Sequence, residues 1–339
     1  MKIGKNKIGE NQVFFVVEEG QFNLGDFEQA LRMVELASET GADAIEFQLA
    51  YADDFYVESH PGHAVYKARE FSDDQLKELV EFTSRKSLEL VVAPLSEQII
   101  VKMAEFGCSA FNINASDMNN PSMLRTVMDS NIPFFISIAL ASEDEIDWVI
   151  NFIEEYRPDA EFTMLHGQHT MASGDQGVDS KHTSLGYLRN LESRLGRPVG
   201  FVDHTKHVWF PCSAVAAGAS IVTKHMAPDH ESRGPDWHIC LDPEEMKQAI
   251  SMVREVFESI KEERKVLAPG EHLDRTEMRR SIVASKNLSE GQVISIGDIL
   301  FKRPGTGIPP DQENYVVGAT LLKSMERDEP MDKEFLGGK

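Results

Sequence analysis

From near its start to about residue 260 the sequence repeats one pattern: a short apolar run, a turn, then a segment with apolar residues at helical spacing. Short apolar runs bounded by turn residues read as buried strands, and spacings of three and four residues read as one helix face. Strands are expected at 13–17, 43–48, 88–93, 109–113, 134–138, 161–165, 199–202 and 220–223. Helices are expected from Gly25-Asp26 to Gly41, from Ser72 onward, and at 96–106, 121–130, 142–155, 182–195, 213–217 and 243–260. Residues 2–12 read as a hairpin that caps more than it fills, and the stretch with His60, His63 and Tyr66 as a long polar loop. Eight strand–helix units in about 250 residues are the count and length of an α/β fold, the (β/α)8 TIM barrel. A doubly wound open sheet usually has fewer strands and brings a glycine-rich phosphate turn, which this sequence lacks.

The pattern stops at residue 260. Residues 261–278 are charged, contain Pro269-Gly270 and lack periodicity, which predicts a linker. Residues 279–339 then form a second, small β-rich unit, with short runs at 281–284, 292–294 and 299–303. A module of that size has little core of its own, so it is expected to dock on its own barrel or on a partner's.

Composition narrows the partners. A net charge of -22 and a pI near 4.9 argue against nucleic acid or an anionic membrane, which would need a basic face. A small anionic substrate stays allowed, because one metal ion can invert the local field. Cys108, Cys212 and Cys240 lack close spacing, and no run approaches a membrane span or signal segment. Both features point to reduced thiols and a cytoplasmic protein.

In such barrels the reactive groups collect at the carboxyl ends of the strands. Those ends present Glu18, Gln48, Asn112 with Asn114, His166, Asp203 with His204, and His225. Packing alone would favour apolar or small groups there. His204 and His225, each closing an apolar run, make a natural pair of metal ligands; two histidines satisfied in a core or cap are the alternative. Cys108 reads as core, Asp236 as a turn former after Gly234-Pro, and His60 and His63 as solvated loop residues.

Gly200-Phe-Val-Asp-His-Thr205, with Thr223-Lys-His225, Gly234-Pro-Asp236 and Leu241-Asp-Pro-Glu244, resembles the sialic acid synthase family. Arg280-Ser-Ile-Val-Ala284, Lys302-Arg-Pro-Gly305 and Gly307-Ile308 resemble its C-terminal antifreeze-like (SAF) domain. Gly41-Ala-Asp-Ala44, Phe47-Gln48 and Glu18 with Gly20 extend the likeness over nearly the whole chain. The resemblance implies a metal-dependent enzyme that condenses phosphoenolpyruvate with an acylamino sugar, giving a nonulosonic acid for surface glycans. It implies a domain-swapped homodimer. His204 and His225 would hold a divalent metal, usually manganese, with magnesium or cobalt as alternatives. Glu18 would stand beside the reacting carbons with Asp203 and His204, and Gln48, Asn114, His166 and Asp236 would bind substrate. Arg303 would reach from the tail into the partner's site to hold the acyl group.

The departures concern phosphate. Glu46 stands where the family carries a phosphate-binding lysine, and Asn112 where it carries a second. The hydroxyls of the family's phosphate turns are missing from Val92-Ala-Pro94, and Ser137-Ile-Ala139 keeps one. Each lost charge-assisted bond is worth roughly 1.5–3 kcal/mol. Three readings follow. The first is a synthase whose phosphate is held elsewhere, with His169, Lys67 and Arg69 as candidates. The second is a metal-dependent aldolase or lyase that has left phosphoenolpyruvate for an unphosphorylated substrate, with Glu46, Asn112 and Asn114 reading hydroxyls. The third is a catalytically silent binding or regulatory subunit.

Overall fold

Runs of Val, Ile, Phe and Ala become strands here because both of their faces are covered, the condition for a parallel sheet. The strands are β1 (Phe14–Glu18), β2 (Ala44–Leu49), β3 (Glu89–Pro94), β4 (Ala110–Ile113), β5 (Phe134–Ser137), β6 (Phe162–Gly167), β7 (Gly200–Asp203) and β8 (Ile221–His225). They close in sequence order into a parallel barrel, with β8 returning to β1 so that His225 faces Glu18 across the seam. This is the TIM barrel expected from the repeat. The computed structural model describes residues 1–10, 12–169, 177–262 and 264–338, and the chain divides into the units Met1–Lys261 and Glu262–Lys339.

Each strand leads to a helix outside it: α1 (Phe27–Glu39), α2 (Asp73–Arg85), α3 (Glu97–Phe106), α4 (Pro121–Asp129), α5 (Glu143–Tyr156), α6 (Tyr187–Leu195), α7 (Phe210–Ala216) and α8 (Pro243–Ile260). Side chains fix where they begin. Asp26 accepts from the amides of Glu28 and Gln29, and Ser72–Gln75, Ser142–Glu145 and Asp242–Glu245 form reciprocal capping boxes. The expected polar loop before α2 instead folds two short helices, Ala52–Phe55 and Pro61–Lys67, with His60 capping the second.

Alternation divides the barrel's side chains between two cores. Phe15, Val17, Phe47, Phe111 and Phe201 point outward into the layer shared with the helices. Phe14, Val16, Ala44, Val91, Ala110, Phe135, Leu165, Val202 and Ile221 point inward. The N-terminal hairpin, Lys2–Ile3 paired with Asn6–Lys7, adds Ile3 and Ile8 to this inner cluster, so it fills as well as caps. Gly200 makes room for that packing, because a Cβ there would lie 2.4 Å from Leu165 and 2.8 Å from Ile221.

The second unit has a core of its own, built from residues such as Ile282, Ile294, Val316, Leu321 and Met331, which corrects the expectation of little core. Strand β9 (Ser281–Ala284) pairs antiparallel with β10 (Ile299–Lys302), and β11 (Thr320–Leu321) with β12 (Leu336–Gly337). Of the expected run at 292–294, Val293 makes only a single bridge, to Thr320. Within the expected linker, Glu271–Met278 is a helix, α9. Among the described residues, no helix is long and apolar enough to cross a membrane.

Candidate active site

The phase of each strand decides which polar ends reach the barrel mouth. Val16 points inward, so Glu18 does as well; Ala44 sets Glu46 and Gln48, Ala110 sets Asn112, Val202 sets His204, and Ile221 sets Thr223 and His225. A cleft of about 480 Å³ opens over these ends, lined by Glu18, Gln48, Asn112, Asn114, His204, His225 and Asp236 among others. Most of the residues singled out in the sequence therefore meet at one place.

His166 and Asp203 do not, and both fail for the same reason; Glu46 is 1% exposed and outside the lining, and Arg303 belongs to the second unit. Strand β6 runs on to Gly167 with Leu165 inward, so His166 faces the helix layer. There its Nε2 meets the carbonyl of Thr183 at 2.9 Å, and its ring packs on Tyr187 and Phe201. Burial lowers its pKa, which keeps it neutral. Asp203 likewise faces outward from β7. It is fully buried and pairs with the equally buried Lys224 of β8 (Oδ2–Nζ 3.3 Å). Asp203 also accepts from the Thr205 amide at 2.8 Å, and the Lys224 ammonium donates to the carbonyls of Asp203 and Thr205. Its placement beside the reacting groups is corrected to a supporting position under His204.

The two inward histidines lie with ring centroids 5.2 Å apart. His204 Nδ1 donates to the Gln168 carbonyl at 2.5 Å, which leaves Nε2 as the lone-pair nitrogen. Both ring nitrogens of His225 are buried without a hydrogen-bond partner; Glu18 Oε2 lies 3.2 Å from Nε2 but outside hydrogen-bond alignment. Burial holds His204 near pKa 4 and His225 well below its ordinary value, so both imidazoles are neutral donors. Two neutral nitrogens beside a carboxylate are a set that suits a divalent transition metal. The two unmet ring nitrogens of His225 and the lone pair left on His204 Nε2 fit such an ion.

The electrostatics of the cleft run acidic. The Glu18 carboxyl is pushed up by burial first, then by Glu46, Asp236 and Glu19. Glu46 is pushed up to about 7 by burial, against a lowering hydrogen bond from Asn112. Asp236 is raised by burial and eased down by His238 and His169. Among the described residues no lysine or arginine lines the cleft, and the sequence of 170–176 contains none.

Of the cations proposed for a phosphate, Lys67 and Arg69 have protein partners of their own. Lys67 pairs with Asp53 and Glu70, and Arg69 donates to Gln21 Oε1 at 2.7 Å. His169 does line the cleft, beside His204. Gln21 and Tyr66 also line it and escaped the sequence reading; Gln21 Nε2 donates to Gln48 Oε1 and, at 3.2 Å, to the Tyr66 hydroxyl. Arg303 lies in the second unit, exposed, just after β10.

One pH effect follows from Glu46. Its folded-state pKa lies above the unfolded one, so both states are protonated below about pH 4. Between there and about 7 the unfolded chain ionises first, and stability falls as pH rises. Glu46→Gln should therefore raise the melting temperature of the metal-free protein at pH 8 and change it little at pH 4, as read by thermal denaturation. An equal gain at both values would show that ionisation is not the cause.

Residues 33–265 match the NeuB family and residues 279–336 the SAF domain. The chain is 28% identical over 329 residues to N,N'-diacetyllegionaminic acid synthase of Legionella pneumophila, covering 92% of this chain and 91% of that one. It is 26% identical over 343 residues to human N-acetylneuraminate-9-phosphate synthase, covering 97% and 94%. The crystal structure of N-acetylneuraminic acid synthetase from Leptospira borgpetersenii, in complex with citrate, superposes with a TM-score of 0.74 at 25% identity, over 81% of this chain and 94% of that one. A TIM barrel whose mouth gathers Glu18, His204 and His225, followed by a SAF domain, is thus a member of the NeuB family of sialic acid synthase-like proteins.

Proposed function

We propose that this protein is a metal-dependent enzyme that joins a three-carbon acid to an acylamino sugar, giving a nonulosonic acid. The observation that carries the reading is the inward pair His204 and His225, the second with both ring nitrogens unmet, beside a largely buried Glu18. The names of the relatives support the product class, since they are synthases of legionaminic and neuraminic acids. His204 and His225 would hold the metal, manganese by resemblance and magnesium or cobalt as alternatives. When bound, such an ion polarises a carbonyl oxygen as a Lewis acid. Glu18, raised towards neutrality, would hold or release the proton that moves in the addition. Gln48, Asn114 and Asp236 would orient hydroxyls of the sugar. A homodimer in which Arg303 serves the partner's cleft belongs to the same proposal, as does a cytoplasmic location, in keeping with three free thiols.

By resemblance the three-carbon acid is phosphoenolpyruvate. The acid-lined cleft favours a second reading, in which the substrate carries no phosphate. A silent binding subunit is the weakest of the three, because the buried His225 imidazole, with both nitrogens unmet, costs stability that packing does not return.

Calorimetric titration with manganese tests the centre. His225→Ala should weaken binding by more than about 100-fold, since removing even the groups that orient such histidines costs 10–100-fold. Equal affinity in native and variant chains would overturn the reading.

A further inference from the structure

Asn112, which lines the cleft, is bonded to a carboxyl group buried beside it, that of Glu46. Glu46 on β2 and Asn112 on β4 meet across β3, whose inward side chains there are only Val91 and Ala93. Asn112 Nδ2 donates to both carboxylate oxygens of Glu46, at 2.9 and 3.1 Å. That leaves Asn112 Oδ1 buried with no partner, in a side chain that lines the cleft and is 3% exposed. Glu18 is the strand neighbour of Glu46 in register, which adds a second carboxyl group.

An unmet buried acceptor asks for a donor, and two carboxyl groups without a cation repel a phosphate. A charged phosphoryl group here would lose its water beside two carboxyl groups and an unmet amide oxygen. A hydroxyl reverses both terms, because it donates to Asn112 Oδ1 or to a Glu46 oxygen and brings no charge.

Resting on the reading of the site as a three-carbon-acid enzyme, we propose that Glu46 and Asn112 form a subsite for an unphosphorylated 2-keto acid of the pyruvate class, accepting a hydrogen bond from its enol hydroxyl. The reaction is then a plain aldol addition. The methyl carbon of the keto acid bonds to the aldehyde carbon of the open-chain sugar. The proton lost from that methyl group ends on the former aldehyde oxygen. No phosphate leaves and no water is consumed, so the step balances and runs in both directions.

The test is calorimetry on the full-length, manganese-loaded protein with pyruvate, phosphoenolpyruvate and inorganic phosphate as separate probes. The native chain is expected to bind pyruvate at least about 10-fold tighter than phosphoenolpyruvate, the ratio that one charge-assisted bond confers. Inorganic phosphate should not bind. Glu46→Lys/Asn112→Lys should reverse the order and gain phosphate binding. Glu46→Gln, a near-isosteric change in case the double variant does not fold, should move the ratio about 10-fold towards phosphoenolpyruvate. Phosphoenolpyruvate binding at least as tightly as pyruvate in the native chain would overturn the subsite, as would failure of both to bind while manganese does. Failure to bind manganese would instead overturn the reading of the whole site.

Discussion

Lys224→Ala is expected to lower the free energy of unfolding by about 3–5 kcal/mol, the range for breaking a buried ion pair by removing one partner. Lys224 and Asp203 are both fully buried, and their charged atoms lie 3.3 Å apart in the layer between barrel and helices. Removing the ammonium leaves a carboxylate in low dielectric with one amide donor, that of Thr205, for compensation. It also frees the Asp203 and Thr205 carbonyls, which flank His204 on either side. Manganese affinity should therefore fall along with stability. The double change Asp203→Leu/Lys224→Met, which removes both charges, should recover most of the lost stability. Urea denaturation monitored by circular dichroism reads the effect. A loss below about 1 kcal/mol for the single change would mean that the pair is solvated and behaves as surface pairs do.

Glu18→Gln is expected to lower kcat by about 10²–10⁴-fold, the usual contribution of a positioned acid–base group. Three features converge on Glu18. It ends β1 pointing inward, it faces His225 across the β8–β1 seam, and burial with Glu46 and Asp236 raises its carboxyl pKa. Glutamine keeps the shape and the polarity but cannot take or give the proton. Substrate KM should stay within about threefold, because little uniform binding is removed. The limb of the pH–rate profile that reports this carboxyl should vanish. The measurement is steady-state formation of the proposed nonulosonic acid product from the three-carbon acid and sugar with manganese present. Retention of more than a tenth of native activity would assign the proton transfer to another group.

How much of this could be read in advance differs from residue to residue. The barrel was legible because each strand–helix unit is local: its apolar period, caps and terminal glycines lie within about thirty residues. Glu18, Gln48, His204 and His225 were legible because a barrel of this kind concentrates chemistry at strand ends. His166 and Asp203 were misplaced by the same rule, since it names the ends but not the face. One residue of phase turns a side chain from the cleft to the helix layer. Gln21 and Tyr66 gave no signal, as they reach the mouth from a turn and from a short helix inside an apparent loop.

The sequence by itself determined the eight-fold repeat, the break at residue 260, the acidic surface and the identity of the two histidines. Only the tertiary structure decided that Glu46 and Asn112, 66 residues apart, are bonded to each other, and that Lys224 belongs to Asp203 rather than to the cleft. The physical reason is that periodicity is written along the chain, whereas pairing across a closed barrel depends on strand phase and register, which packing of both cores sets together.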